Sequence, residues 1–210
     1  MVDQKLSALS VGTLTDADEV YINDGGNSRK VTIASLRTFL VGKGNIDLNI
    51  ATLREIGTDQ IPNTAATPPG GYLTSDTTPR LIRVATSTDK ALKVEWVGGN
   101  VDEVQFAPVR MPADLDETVD VTIHLLAKMN AAGDVPTIDV QVFDAIGDTE
   151  MGGVTAALSS TLAELTVTIA NANISGHPLG FFNISLIPGT HATQLVELYA
   201  TWIEYTRKAS

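Results

Sequence analysis

The stretch Thr118-Val-Asp-Val-Thr-Ile-His-Leu125 decides the fold class, because its apolar residues occupy every second position. These apolar residues are Val119, Val121, Ile123 and Leu125. Such alternation is typical of a β-strand with one buried face and one solvated face. The same pattern returns downstream in Thr137-Ile-Asp-Val-Gln-Val-Phe143. We therefore expect a mainly β protein in this part of the chain.

Further alternating stretches lie on both sides, separated by turn-rich gaps. The predicted strands cover 81–85, 91–97, 102–107, 118–125, 137–143, 164–169, 181–187 and 195–205. About eight strands joined by turns favour an antiparallel β-sandwich, with a jelly roll as the specific expectation and an immunoglobulin-like sandwich as the alternative. In the last strand, alternation places Val196, Leu198, Ala200 and Trp202 on one face and Tyr199, Thr201, Ile203 and Tyr205 on the other.

Residues 1–44 predict a small module of a different kind. The turn signal Asp24-Gly-Gly-Asn27 lies between two short strands, because its residues tolerate the positive φ of tight hairpins. The segment 34–40 has helical spacing in Leu36, Phe39 and Leu40. A lone hairpin with one helix is too small to hold its own core. We expect the module to lie on a larger surface.

Between the two parts, residues 45–79 are rich in Thr, Pro and Gly after Gly57. Proline favours an extended chain, whereas glycine and threonine supply little packing. The prediction is an extended connector over 45–79, followed by a β-sandwich domain over 80–210. One short helix or strand is expected near Ile46–Ile56.

Composition excludes several function classes. The 210 residues contain no cysteine, so disulfides, thiolate nucleophiles and zinc–sulfur sites are excluded. The net charge of −11 disfavours nucleic acid and anionic membranes as partners. No apolar run is long enough for a membrane span, and no signal peptide is visible. The absence of cysteine suits assembly in a reducing cytoplasm.

Residues for catalysis or metal binding do not cluster in the sequence. His124, His177 and His191 are the only histidines, and no spacing pairs them on one element. The segment Asp114–Asp120 is acidic but lacks the spaced ligands and the glycine of a calcium loop. We predict no catalytic, cofactor-binding or metal-binding residues, and no enzyme. A pair of carboxylates facing a groove would favour a hydrolase instead.

Four aromatic residues leave two interpretations open. Trp96, Trp202, Tyr199 and Tyr205 form either a platform for sugar or anchors of the core. Because the last strand is partly apolar on both faces, Tyr199, Ile203 and Tyr205 are also candidates for a subunit contact in a symmetric oligomer.

The N-terminal module resembles a known kind of attachment module. The matching stretches are Lys5-Leu-Ser-Ala-Leu9, Leu14-Thr-Asp-Ala-Asp-Glu-Val-Tyr-Ile-Asn-Asp-Gly-Gly26 and Arg29-Lys-Val-Thr-Ile-Ala-Ser-Leu36. They are similar to a module at the start of tailed-bacteriophage virion proteins, and cover about a fifth of the chain. The remainder looks like the jelly-roll domains of phage decoration (cement) proteins and fibres, without any diagnostic residue.

This resemblance implies a structural virion protein. Its attachment residues are Leu6, Leu9, Val20, Ile22, Val31, Ile33 and Leu36. The main expectation is a homotrimeric decoration protein on the outer capsid surface, with the major capsid protein or other virion subunits as partners. The alternative is a tail or head fibre whose sandwich recognises a host surface glycan.

Overall fold

A computed structural model describes residues 17, 19–24, 27–33, 42–56, 71–73, 79–85, 90–144, 150–174 and 180–208. The chain divides into two compact units. One comprises Met1–Gly42 with Arg207–Ser210, and the other comprises Lys43–Thr206. No helix among the described residues is long and apolar enough to cross a membrane.

The first unit contains the predicted hairpin. Strands β1 (Glu19–Asp24) and β2 (Asn27–Thr32) pair antiparallel, with Asp24 opposite Asn27. Of the predicted attachment residues, Val31 and Ile33 are half-buried. Leu6, Leu9 and Leu36 lie outside the described residues, as do the side chains of Val20 and Ile22 and the predicted helix 34–40.

The second unit is an antiparallel, jelly-roll-like β-sandwich. Its strands are β3 (Lys43–Leu48), β4 (Arg54–Glu55), β5 (Gly71–Tyr72), β6 (Arg80–Ala85), β7 (Lys90–Trp96), β8 (Val104–Gln105), β9 (Val109–Arg110), β10 (Val121–Met129), β11 (Ile138–Phe143), β12 (Gly153–Val154), β13 (Ala163–Ile169), β14 (Phe181–Pro188) and β15 (Val196–Thr206). A 3₁₀ turn (Ile50–Thr52) follows β3, and the short helix α1 (Asn171–Ile174) follows β13.

These strands form two sheets. Sheet A has the order β13-β10-β15-β7-β6, and β3 pairs with β15 beyond the end of β7. Sheet B has the order β12-β11-β14-β8-β4-β5, and β9 also pairs with β14. All these pairs are antiparallel, so the predicted sandwich is confirmed.

Strand β10 follows the predicted alternation from its first residue. Val121, Ile123 and Leu125 are fully buried, and the polar residues between them face outward. Val119 differs from the prediction, because it precedes the strand in a turn closed by its N–H to the Asp116 carbonyl at 3.2 Å, and is exposed. The core thus lies between the inner faces of the two sheets.

Strand β15 departs from simple alternation. Its pairing with β10 shifts register, so that Leu126 faces Ala200 and Ala127 faces Leu198. Tyr199 is the extra residue of a β-bulge, which moves every following side chain to the opposite face. Ile203 therefore points into the core and Trp202 points outward, which corrects the predicted faces of this strand.

The described part of the predicted connector contains short elements near Ile46–Ile56, as expected, but they belong to the sandwich instead of an extended arm. Strand β3 belongs to sheet A, and β4 and β5 belong to sheet B. Leu48, Ile50 and Leu53 are buried in the core of the sandwich, since apolar side chains in this segment find a place between the sheets. Residues 57–70 lie outside the described residues.

Candidate functional site

The outer face of sheet B carries the candidate site. In β14 the inward residues Phe182, Ile184 and Leu186 are almost completely buried, so the residues between them point outward. Those outward residues are Phe181, Asn183, Ser185 and Ile187. They form a line along the middle of the sheet, with neighbouring strands on either side.

Strand pairing arranges outward side chains into rows across this face. Phe181 lies opposite Arg110 of β9. Asn183 lies opposite Phe143 of β11. A longer row crosses four strands and consists of Gln141, Ser185, Gln105 and Arg54. The face thus combines aromatic rings with amide and guanidinium groups, whereas Ser185 in the middle of the row is buried.

A pocket of about 260 Å³ opens at the edge of this face, where β9 ends and β14 begins and core side chains come to the surface, and we call it the end pocket. Its apolar wall includes Met111, Leu115, Ile174 and Phe182. Phe181 contributes an aromatic ring that is 42% exposed. Gly180 precedes this residue with φ +59, a left-handed conformation that glycine adopts without steric cost.

Three charged side chains also line the end pocket: Arg110, Glu117 and Asp144. Asp144 is only 3% exposed, whereas Arg110 and Glu117 are exposed. The guanidinium of Arg110 has no ion pair or hydrogen bond with a described residue. The pocket therefore offers hydrogen-bond donors from arginine, acceptors from carboxylates and an aromatic surface.

A second depression of about 300 Å³ lies on the same sheet, and we call it the Gln105 depression. Arg54, Gln105, Phe106, Ala107 and Pro108 line it. Gln105 pairs with Ser185 of β14 and with Arg54 of β4, so the depression lies at the end of the polar row.

The outer face of sheet A has a different chemistry. Its charged side chains form a linked chain: Arg80 and Lys93 both bind Glu95, and Lys93 and Lys128 both bind Glu197. Lys93 lies 2.5 Å from the Glu95 carboxylate, and the Tyr199 hydroxyl donates to Glu197 at 3.0 Å. We call this chain the sheet A ion-pair network.

The centre of the network, Lys93, Glu95 and Glu197, is buried although it lies on an outer face, whereas Arg80 and Lys128 are partly exposed. Glu95 is 1% exposed and Lys93 is 8% exposed. Burial raises the pKa of the Glu95 carboxyl, but hydrogen bonds from Lys93 and Arg80 outweigh it, so this pKa lies below its ordinary value. Burial lowers the pKa of Lys93, but its hydrogen bonds to Glu197 and Glu95 outweigh burial and raise it. Both groups are thus stabilised in their charged forms.

Trp202 and His124 lie beside this network. Their rings stack with centroids 4.8 Å apart and planes 8° from parallel. The His124 Nδ1 atom lies 2.6 Å from the Glu164 carboxylate, which fixes the ring from the other side. One face of the indole is therefore covered by protein.

The structure separates the four predicted aromatic residues. Trp96 is fully buried and its indole N–H donates to the Asp102 carbonyl at 3.0 Å, so it anchors the core. Tyr205 is also buried in the core. Trp202 and Tyr199 lie half-buried on the outer face of sheet A. These four residues do not form one platform.

The three residues of the predicted subunit contact also lie in different places. Ile203 is fully buried and Tyr205 nearly so, because the bulge at Tyr199 turns both into the core. Neither side chain is thus exposed on the surface of the sandwich, as a subunit contact would require. For Tyr199 the contact stays a prediction.

The acidic segment and the histidines have local structural roles. The Asp116 carboxylate accepts from the Thr118 N–H at 3.0 Å, and the Asp120 carboxylate accepts from the Asn171 N–H at 2.8 Å. His191 is buried between the Gly189 and Val97 carbonyls, and His177 lies outside the described residues. No cluster of three metal-ligating side chains occurs in the described part of the chain.

Sequence reasoning missed Phe181, Arg110, Asn183 and Gln105. Strand 181–187 was predicted, and alternation alone places Phe181 and Asn183 on one face. Their neighbours come from β8, β9 and β11, and strand order cannot be read from a single sequence. The pocket therefore had no signal in the sequence beyond one exposed phenylalanine position.

No protein-family model matches this sequence, and no curated protein matches it. Among solved structures, the xylan-binding module CBM15 is 13% identical, with a TM-score of 0.48, covering 80% of this chain and 100% of that chain. The CBM36-1 domain of a multidomain xylanase from the hindgut metagenome of Trinervitermes trinervoides is 12% identical, with a TM-score of 0.43. The match covers 77% of this chain and 96% of that domain. The family 11 carbohydrate-binding module of a Clostridium thermocellum cellulase is 8% identical, with a TM-score of 0.32, covering 90% and 95%. These three structural neighbours are carbohydrate-binding modules.

Proposed function

We propose that the sandwich is a carbohydrate-recognition module that binds sugar at the end pocket. The observation that carries the proposal is an exposed Phe181 ring beside an arginine without a described partner, in a concave site of about 260 Å³. Binding sites for small ligands commonly combine apolar walls with a few convergent polar groups. This site has that composition.

The chemistry of a sugar ring complements these groups. Each hydroxyl both donates and accepts hydrogen bonds, so a pyranose suits a pocket that offers Arg110 as donor and Glu117 as acceptor. The C–H face of the ring is apolar and stacks on an aromatic side chain such as Phe181. In this role the first unit would attach the sandwich to a larger assembly, as a fibre protein requires.

A glycan array probed with the full chain tests the proposal. We expect reproducible binding, and a loss of about tenfold in affinity, or ~1.4 kcal/mol, on Phe181→Ala. The matched control is Val154→Ala, which removes a 60% exposed side chain of sheet B that does not line the pocket. Equal losses in both variants, or no binding to any glycan, would contradict the proposal.

The same preparation tests the hydrolase alternative, which one observation favours: Glu117 and Asp144 line a single pocket. Paired carboxylates are the machinery of glycoside hydrolysis. Incubating bound oligosaccharides with the full chain and measuring new reducing ends separates the two functions. Release of reducing ends that disappears with Glu117→Gln would replace recognition by catalysis.

Capsid decoration is the second candidate function. It is favoured by the separation of Met1–Gly42 with Arg207–Ser210 from the sandwich, since an attachment module would occupy a unit of its own. Quantitative mass spectrometry of purified particles tests it. A copy number comparable to the coat protein would support decoration, whereas a few copies per particle would support a fibre.

A further inference from the structure

We infer that the end pocket and the Gln105 depression are two subsites of one track on the outer face of sheet B. The track would hold a linear, uncharged oligosaccharide. This inference rests on the proposed carbohydrate recognition and adds the length and charge of the ligand. Its basis is that Phe181 of β14 lines the end pocket, while Gln105, which lines the second depression, lies opposite Ser185 of the same strand.

Strand geometry gives the spacing of the two subsites. Phe181 lines the end pocket, and Ser185 lies four residues further along β14, opposite Gln105. At about 3.3 Å per residue, the two positions are about 13 Å apart. Asn183 lies between them on the same face, with Phe143 beside it. A ligand that occupies both subsites must therefore be a chain of several sugars.

Two amide side chains along this path have no hydrogen-bond partner among the described residues, whereas Ser185 is buried, with 4% exposure. The amides of Asn183 and Gln105 form no hydrogen bond with a described residue. The Gln141 amide makes one long bond of 3.4 Å, to Asp139. Each amide offers two donors and one acceptor oxygen, which matches the hydroxyls along a sugar chain.

The charges of the face determine the charge of the ligand. Arg110 and Arg54 lie at the two subsites, and Glu117 and Asp144 balance them, so the track itself has no net charge. Asp139 and Glu150 flank it, and burial together with the Asp139 charge raises the pKa of Glu150. The whole chain carries −11. A polyuronate or sulfated chain would meet repulsion, whereas a neutral chain would not.

Isothermal titration calorimetry with the full chain tests the track. The probes are xylo-, cello- and galacto-oligosaccharides, each from the monosaccharide to the hexasaccharide, and oligogalacturonates of the same lengths. We expect affinity to rise with length by at least about tenfold, because linked subsites act at high effective concentration. Gln105→Ala should remove that gain of affinity with length. Thr168→Ala, an exposed residue of β13 in sheet A, is the matched control and should change neither.

The outcomes separate this inference from the proposed function. Equal affinity for short and long neutral chains, or no effect of Gln105→Ala on the long ones, overturns the track and leaves a single pocket. Tighter binding of the oligogalacturonates overturns the neutral ligand class. If no probe binds and the glycan array is also blank, the proposed function fails and the track fails with it.

Discussion

The outer faces of the two sheets differ in what their polar groups already bind. On sheet A, Lys93, Glu95 and Glu197 bind one another and are buried. On sheet B, the amides of Asn183 and Gln105 have no partner among the described residues. A polar group already bound within the protein contributes to folding, whereas one without a partner is ready to bind a ligand. The comparison assigns stability to the first face and recognition to the second.

The largest effect is expected for Lys93→Ala. Removing this ammonium leaves Glu95 and Glu197 buried with one cation each, Arg80 and Lys128. Breaking a buried ion pair costs about 3–5 kcal/mol, and the remaining cations favour the lower value. Urea unfolding measures the change. Gln105→Ala on sheet B is the control and should stay within about 0.5 kcal/mol of the parent protein. Similar losses in both variants would erase the distinction between the faces.

Two adjacent glycines, Gly152 and Gly153, test how tightly the backbone of sheet B is packed. A Cβ on Gly152 would lie 1.6 Å from the Val140 carbonyl oxygen, so the backbone must move. Gly152→Ala should lower the free energy of unfolding by about 1–3 kcal/mol, as overpacking does. On the adjacent Gly153 a Cβ meets only Val167 Cγ1, at 3.7 Å, so Gly153→Ala is the matched control. Tolerance of both changes would indicate that the sheet B backbone is loosely packed.

Acid should weaken sheet A selectively. Because the folded state holds the pKa of Glu95 below its ordinary value of 4.5, its stabilising contribution is complete above that pH and is lost as the pH falls further. The raised pKa of Lys93 keeps its contribution complete below about pH 10.5 and loses it above. As the pH is lowered from about 6 to about 2, the free energy of unfolding should therefore fall less steeply in Glu95→Gln than in the parent protein. Parallel curves would contradict the assignment.

The smallest effect on stability is expected for Asn183→Ala. The side chain is half-buried and has no described hydrogen-bond partner, so the free energy of unfolding should change by no more than about 0.5 kcal/mol. Affinity for the hexasaccharide that binds best should nevertheless fall. Thermal unfolding and calorimetry on the same sample measure both. A large loss of stability with unchanged binding would reverse the roles given to the two faces.

Most of the architecture was predictable from the sequence, because long strands with one buried face carry a period of two. The inner residues of β10 and β11 follow that period without exception. Strands β4, β5, β8, β9 and β12 have two residues each, which is too short for a period to be recognised within the segment. A short element near Ile46–Ile56 was predictable, but its place in the two sheets was not, because the partners of β3 and β4 lie far along the chain.

The candidate site was less predictable, because strand order brings its residues together. Arg110 and Phe181 are adjacent through the pairing of β9 with β14. Gln105 and Ser185 are adjacent through the pairing of β8 with β14. Between Asp144 and Phe182, the polypeptide passes through sheet A as β13. The spacing of residues along the sequence therefore does not predict which of them are neighbours in the site.

The bulge at Tyr199 also affects how substitutions along β15 will be tolerated. Before it the positions that require an apolar side chain have even numbers, such as Val196 and Leu198, and after it they have odd numbers, such as Ile203. Deleting Tyr199 would remove the extra residue, so that Leu198 and Thr201 stand two positions apart and one alternation runs through the whole strand. In a saturation mutagenesis experiment, an average over the whole strand would therefore hide the periodic signal, whereas each half analysed alone would display it.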